Sequence, residues 1–279
     1  MRISNIVFSL CLLLFVACKK ESSDPNPNPN PNPSPTLPDQ HVVMLVFNAS
    51  WDSLSGSQFK PFVARLKKDY PETPVVSMHI SGPTPAQTDP MFNNAVQYVN
   101  DWLPAHFTAS ETHPIPYSYF GANSTLKGMK RYDFTDLWSN TVQYIADSKA
   151  TPPVASVDFT SQIRNDSLLV STTSSFYANI NYGVTMAIYL IEDDVPGSQV
   201  NDASTNPGEH DNVLRAMPTD PYGDFFVRQP GNGQKINGLY KMKLEPTWNR
   251  NKLSVVAALW YNMGAAGVVL CNGTVKKVI

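Results

Sequence analysis

Val46–Phe59 reads VFNASWDSLSGSQF, and the fold of the first half of the chain turns on these residues. The run VVMLVF, residues 42–47, leads into the stretch without a polar break. An unbroken apolar run of this length is consistent with a strand buried on both faces. The chain then turns at Trp51. From Ser57 to Tyr70, Phe59, Phe62, Val63 and Leu66 recur at helical spacing, with Ser55 and Ser57 as candidate N-caps. TPVVSMHI, residues 73–80, is a second buried strand. Strand, helix and strand in this order predict a parallel pair with a right-handed crossover.

Further elements follow in the same half. A Pro-rich loop precedes a predicted helix over residues 91–103, with Phe92, Ala95, Val96, Val99 and Trp102 in register. HPIPYSYFG (113–121) and TLKGMKRYD (125–133) are two short strands joined through Ala122 to Ser124. A last helix over residues 135–148 carries Leu137, Trp138, Val142 and Ile145 on one side. The order β-α-β-α-β-β-α resembles a thioredoxin-like fold. The likeness rests on Trp51 at the strand-to-helix turn, on the window Asp52–Ser55 before the helix, and on IPY (115–117) entering the next strand. It implies a cis-proline at Pro116 and a groove lined by Trp51, Asp52, Ser55 and the Pro116 loop.

Redox members of that fold carry cysteines where this chain has Asp52 and Ser55. The first is a low-pKa thiolate and the second resolves the mixed disulfide. Neither Asp nor Ser does this, and Ser55 has no adjacent base in the sequence. A carboxylate at Asp52 has a structural use, favouring the helix macrodipole and accepting free N–H groups. His79, inside a buried strand, is a core histidine or a general base.

The chain of 279 residues has a formal net charge of -2, which gives no clustered cation for phosphate and excludes a nucleic-acid reading. Arg2 followed by IVFSLCLLLFVA (6–17) is too short for a membrane span of about 20 residues but fits a signal-peptide core. FVAC, with Ala17 before Cys18, resembles the lipobox of bacterial lipoproteins, with Phe15 where that family favours Leu. The resemblance implies removal of residues 1–17 and a lipid on Cys18, through which the chain meets the membrane. Residues 18–40 hold an Asn-Pro repeat. Proline fixes φ and removes N–H donors, so this tether is extended at about 3 Å per residue. Of the three cysteines, Cys11 falls in the signal and Cys18 takes lipid, leaving Cys271 alone in the body. A dithiol mechanism is excluded by that count. Cys271 is either a small core filler or a single reactive thiol.

SKATPPVAS (148–156) marks a boundary, so residues 41–150 and 151–279 are read as two domains. Beyond it strands dominate. Arg164-Asn165-Asp166 is a predicted hairpin turn, and Thr247–Asn251 is read as a second hairpin between KINGLYKMKLEP and KLSVVAALWYN. At least six strands without a helix predict an immunoglobulin-like β-sandwich. YLIEDDVPG, then HDNVLRA (210–216), then PTWNRNKLSVVAALWYN resemble the 28-kilodalton outer-membrane-protein family of lipoproteins, in which a thioredoxin-like domain precedes a β-sandwich. The resemblance covers nearly the whole mature chain and implies an outer-membrane location; Lys19, Lys20 and Glu21 directly after Cys18 resemble signals that send lipoproteins to the outer surface, which implies an outward-facing one.

Two smaller patterns remain. Glu192, Asp193, Asp194, Asp202, Glu209, His210 and Asp211 gather near one loop and are read as a solvated acidic loop or a calcium site. DSL occurs at 52–54 and 166–168 and resembles an O-glycan acceptor, with Ser167 as the candidate. The leading expectation is a non-catalytic, membrane-tethered lipoprotein with no cofactor that binds a protein, peptide or glycan. Tyr117, Tyr119 and Phe120 are expected to add exposed stacking surface. The alternatives are an enzyme using a thiol-independent or single-cysteine site, and an adhesive or structural module working through the sandwich.

Overall fold

A computed structural model describes residues 37–82, 84–99, 115–121, 130–132, 137–262 and 268–279. The signal, Cys18, most of the tether and the turn at 122–124 lie outside the described residues. So does much of the predicted helix over 91–103, of which residues 94–99 are helical.

In the first half, β1 (Val43–Asn48) lies parallel to β2 (Val75–His79), with α1 (Lys60–Asp69) as the crossover. β3 (Tyr117–Gly121) pairs antiparallel with β1, and β4 (Lys130–Tyr132) with β3. Helix α2 (Leu137–Lys149) follows. The unbroken apolar run of β1 has the predicted cause, because both faces are buried. Val43, Leu45 and Phe47 enter one core, while Val42, Met44 and Val46 meet Phe62, Val63 and Leu66 of α1 and Leu137 and Ile145 of α2. Burying each such side chain contributes about 1.5–3 kcal/mol.

The second half supplies β5 (Ala155–Arg164), β6 (Ser167–Phe176), β7 (Gly183–Glu192), β8 (Val195–Pro196), β9 (Glu209–His210), β10 (Val213–Ala216), β11 (Asp224–Arg228), β12 (Lys235–Lys243), β13 (Leu253–Asn262) and β14 (Val268–Lys277). The β5–β6 hairpin forms as predicted, with Asn165 and Asp166 both at positive φ (47° and 59°) in a two-residue turn. The second predicted hairpin does not. β12 pairs with β6, whereas β13 sits between β7 and β14 in another sheet. Burial explains the split. β13 is buried on both faces from Leu253 to Tyr261 and needs a central position, while β12 alternates between exposed and half-buried and suits an edge.

The change of texture near residue 150 does not divide the body, and residues 37–279 form one compact unit. One sheet runs β14-β13-β7-β10-β2-β1-β3-β4, joined across the expected boundary where Val213 pairs with Ser77. Its two lobes also face each other. Ala187, Tyr189, Val256, Trp260 and Leu270 share a core with Val43, Phe47, Met78 and Tyr119. The approach is close enough that a Cβ on Gly121 of β3 would lie 2.1 Å from Leu270 Cβ of β14. The opposite faces of β7, β13 and β14 pack on the small sheet β12-β6-β5. Four layers result: helices, one lobe, the other lobe, and the three-stranded sheet. Two separate domains would have to cover the inner face of each lobe in some other way.

This packing corrects the expected exposed aromatics. Tyr117, Tyr119 and Phe120 are all buried. Phe47 stacks on Tyr117 with centroids 4.7 Å apart. No helix among the described residues is long and apolar enough to cross a membrane.

Candidate functional site

The turn after β1 holds the sequence-predicted window. Asp52 Oδ2 accepts from Ser55 N at 2.7 Å and from Ser55 Oγ at 2.8 Å. Ser55 Oγ also accepts from Ala49 N at 3.2 Å. The Asp52 carboxylate therefore satisfies a free donor where the helical segment begins, and the Ser55 hydroxyl is held inside the turn. Neither Ser55 nor Ser57 acts as the N-cap, because the chain is already helical from Ser53, ahead of the π-turn over Ser55–Phe59, and Asp52 takes the capping role. Half-buried Trp51 donates from Nε1 to Ile80 O at 3.1 Å. The Ile115–Pro116 bond is cis, one residue beyond the Phe47–Tyr117 pair of the sheet.

The expected open groove beside this turn is filled by the chain itself. An arm between β8 and β9 crosses the window. Val200 N donates to Ser50 O at 2.9 Å, and Ala203 N to Gly56 O at 3.2 Å. Gln199 Nε2 donates to Ala49 O and Asp52 O at 3.1 and 2.9 Å, and Asn201 Nδ2 to Ser53 Oγ at 2.5 Å. Lys60 meets Asp202 at 2.6 Å with both side chains largely buried. Gly56 makes the seal possible, since a Cβ there would lie 2.1 Å from Val200 O. Burial works against the charge on Asp202, but Lys60 and donors from Ser204 and Gly208 overcome it and hold the carboxyl well below its usual range. Asp52 and Ser55 thus lie beneath the arm, while Trp51 is half-buried against Ile80 and Pro116 is buried at the entry to β3.

Beside the window is a crevice that the sequence did not mark as a site. It lies at the carboxyl ends of β1 and β2, under α1 and the segment 204–211. Asn48 and His79 are register partners, and Asn48 Nδ2 donates to Ser77 Oγ at 2.9 Å. His79 Nδ1 meets Asp89 Oδ2 at 3.1 Å, and the same carboxylate accepts from Ser50 N at 2.6 Å and from Met91 N at 2.9 Å. Burial raises the Asp89 carboxyl, and His79 with the two backbone donors more than offsets this, so it stays below its usual range. His210 packs edge-on to His79 with ring centroids 5.0 Å apart. Burial, reinforced by the neighbouring His79 and Lys60, pushes the His210 imidazole down to about 4. The sequence named His79 as a candidate base and Glu209, His210 and Asp211 as part of an acidic loop, but nothing in it showed that they share one crevice with Asn48 and Ser77.

The remaining candidates are dispersed. Four of the acidic residues are held in ion pairs, Glu192 with Arg215 at 2.6 Å, Asp193 with Lys67 at 2.9 Å, Asp211 with Lys67 at 3.5 Å, and Asp194 with Lys252, while Glu209 is exposed. Among the described residues no group of three His, Cys, Asp or Glu is arranged to hold a metal ion. Cys271 is fully buried, its thiol donates to Tyr261 Oη, and burial pushes it up to about 12. Ser167 is partly exposed at the start of β6, beside Asp166, which pairs with Arg250.

No family model and no curated protein matches the chain. Solved structures do. HBP35 of Porphyromonas gingivalis superposes with a TM-score of 0.63 at 14% identity, covering 86% of this chain and 76% of that one. A protein from Agrobacterium tumefaciens gives a TM-score of 0.51 at 9% identity, covering 84% and 92%. A domain of the outer membrane lipoprotein Omp28 from Porphyromonas gingivalis aligns at 16% identity over 45% of this chain and 88% of the domain, with a TM-score of 0.32. At such identities the likeness to HBP35 and the Agrobacterium protein is one of fold.

Proposed function

We propose that the chain is a non-catalytic lipoprotein of the Omp28-related type. In this reading a lipid on Cys18 anchors it to the outer membrane, facing outward, with residues 18–40 as a spacer. It binds a protein, peptide or glycan partner. Its first half is a thioredoxin-like scaffold that has lost thiol chemistry, and its second half is an immunoglobulin-like sandwich fused to it.

The observation that carries the non-catalytic reading is the sealed window. Asp52 and Ser55 bond each other, the arm covers them, and the thiol of Cys271 is buried far from any nucleophilic state. The order β1-α1-β2 and the cis bond at Pro116 support the scaffold. In an insulin-reduction assay the full chain gives no dithiol-dependent turnover, and measurable turnover would overturn the reading. The anchor is tested separately: Cys18→Ala releases the protein from the membrane fraction, and continued retention would count against lipidation.

A second reading, a thiol-independent enzyme, is favoured by the buried Asp89–His79 pair, an arrangement used to orient a general base. Against it, His79 Nε2 has no hydroxyl within hydrogen-bonding reach among the described residues.

A further inference from the structure

We propose that the outer edge of β12 takes up an extended peptide as an added strand, one that alternates acidic and apolar side chains. This rests on the partner-binding reading above and narrows it to one class of partner and one edge. β12 pairs with β6 on one side, and among the described residues no strand pairs with its other side. The ladder fixes which backbone groups of β12 are free. Phe176 N donates to Gln234 O at one end and Leu244 N to Asp166 O at the other, so the even-numbered residues of β12 bond β6. The N–H and C=O groups of Lys235, Asn237, Leu239, Lys241 and Lys243 therefore point to the open edge. Such a row is a template for another extended chain.

The two faces of the strand select the occupant. Side chains directly opposite each other across a ladder share a face. A residue bonded to Lys235, Lys241 or Lys243 thus projects beside an exposed ammonium. On their other flank β6 sets Ser175, Leu169 and Ser167 opposite these lysines, none of them charged. Lys235 and Lys241 meet no carboxylate among the described residues, and Lys243 lies near Asp166, which Arg250 already holds. Acidic side chains fit at those places. The alternate residues of an added strand project to the inner face. There Ile236, Tyr240 and Met242 reach the core between the sheets yet stay partly exposed, and apolar side chains would close over them. Asp224 near Tyr240 disfavours a second acidic group on that side. Lysines on an edge ordinarily guard it. Here they guard against a second copy, since two β12 strands laid antiparallel about Leu239 would set Lys235 against Lys243 at both ends. They give no protection against an acidic strand.

The test follows amide hydrogen exchange of the full chain in detergent by NMR. The probe is a blocked peptide of alternating glutamate and valine as long as β12, nine residues. It gives saturable protection of the Lys235, Asn237, Leu239, Lys241 and Lys243 amides, which exchange freely without it, and leaves those of Ile236, Gly238 and Tyr240 as slow as before. A peptide with lysine in place of glutamate gives none. Lys241→Gln weakens the glutamate peptide by about two- to fivefold, the worth of one cross-strand charge pair. Leu239→Pro removes one edge N–H, is tolerated on an edge strand, and abolishes the protection. The proposal is overturned if the glutamate peptide gives no saturable protection, if the lysine peptide protects as well, or if the glutamate peptide binds without protecting these amides, as docking on the flat face would. Protection that appears without peptide and rises with protein concentration would assign the edge to a second copy and overturn it too. Its failure would leave the membrane tether and the absence of thiol catalysis untouched, since Cys18→Ala and insulin reduction test those separately.

Discussion

Gly56→Ala is the sharpest perturbation of the sealed window, because helix propensity and packing predict opposite signs for it. Gly56 lies in the helical segment after β1, where alanine is ordinarily better than glycine by about 1 kcal/mol. The added Cβ, however, would sit 2.1 Å from Val200 O, 2.9 Å from Asn201 O and 2.9 Å from Gln199 Cγ. Two of these atoms are backbone, so rotating a side chain does not relieve the clash. The arm has to move outward by roughly an ångström or more, since ordinary contact begins near 3.4 Å. Movement on that scale breaks the Ala203–Gly56 and Val200–Ser50 bonds and the two bonds from Gln199 Nε2. At about 0.5–1.5 kcal/mol for each net bond, the four together contribute about 2–6 kcal/mol. Subtracting the propensity gain leaves a destabilisation of about 1–5 kcal/mol. The Lys60–Asp202 pair is strained by the same shift. Urea unfolding of the full chain measures the loss, and hydrogen exchange of residues 199–208 shows whether the arm is the part that opens. A variant as stable as the parent, with unchanged protection of the arm, would refute the sealed window.

Two further outcomes follow from burial. His210 is pushed down to about 4 in the folded state, against about 6.5 unfolded. The unfolded chain therefore binds the proton more readily between these values. Stability is full above about pH 6.5 and falls as pH drops towards 4, by at most about 3 kcal/mol. Urea midpoints at pH 7, 5.5 and 4 measure this, and His210→Gln flattens the profile over that window. The lowered carboxyls of Asp89 and Asp202 act further down, holding their contribution above the ordinary carboxylate range and losing it as pH falls through their folded values. Cys271, fully buried with its thiol pushed up to about 12, is not alkylated in the native chain at pH 8 and is labelled after denaturation. Rapid native labelling would revive a single-cysteine site.

The sequence by itself determined the local pieces, because the signals for them are local. The unbroken run of β1 marked a strand buried on both faces, the spacing of Phe59, Phe62, Val63 and Leu66 marked α1, and Arg164-Asn165-Asp166 marked a hairpin. Asp52 and Ser55 at the two window positions excluded a dithiol in this turn without any structure. What lies on the second face of a buried strand is a different question, since an apolar residue is compatible with any apolar neighbour. Only the tertiary structure decided that the two lobes of one sheet cover each other, with Gly121 against Leu270, in place of two separate domains. The same holds for VFNASWDSLSGSQF. Its residues announced a strand, a turn and a helix lacking redox cysteines. That the turn is covered came from contacts about 150 residues away, between Gly56 and the arm around Val200. Long-range contacts of this kind leave no periodicity in the chain, and a small residue at position 56 reads as a turn glycine until the carbonyl above it is seen.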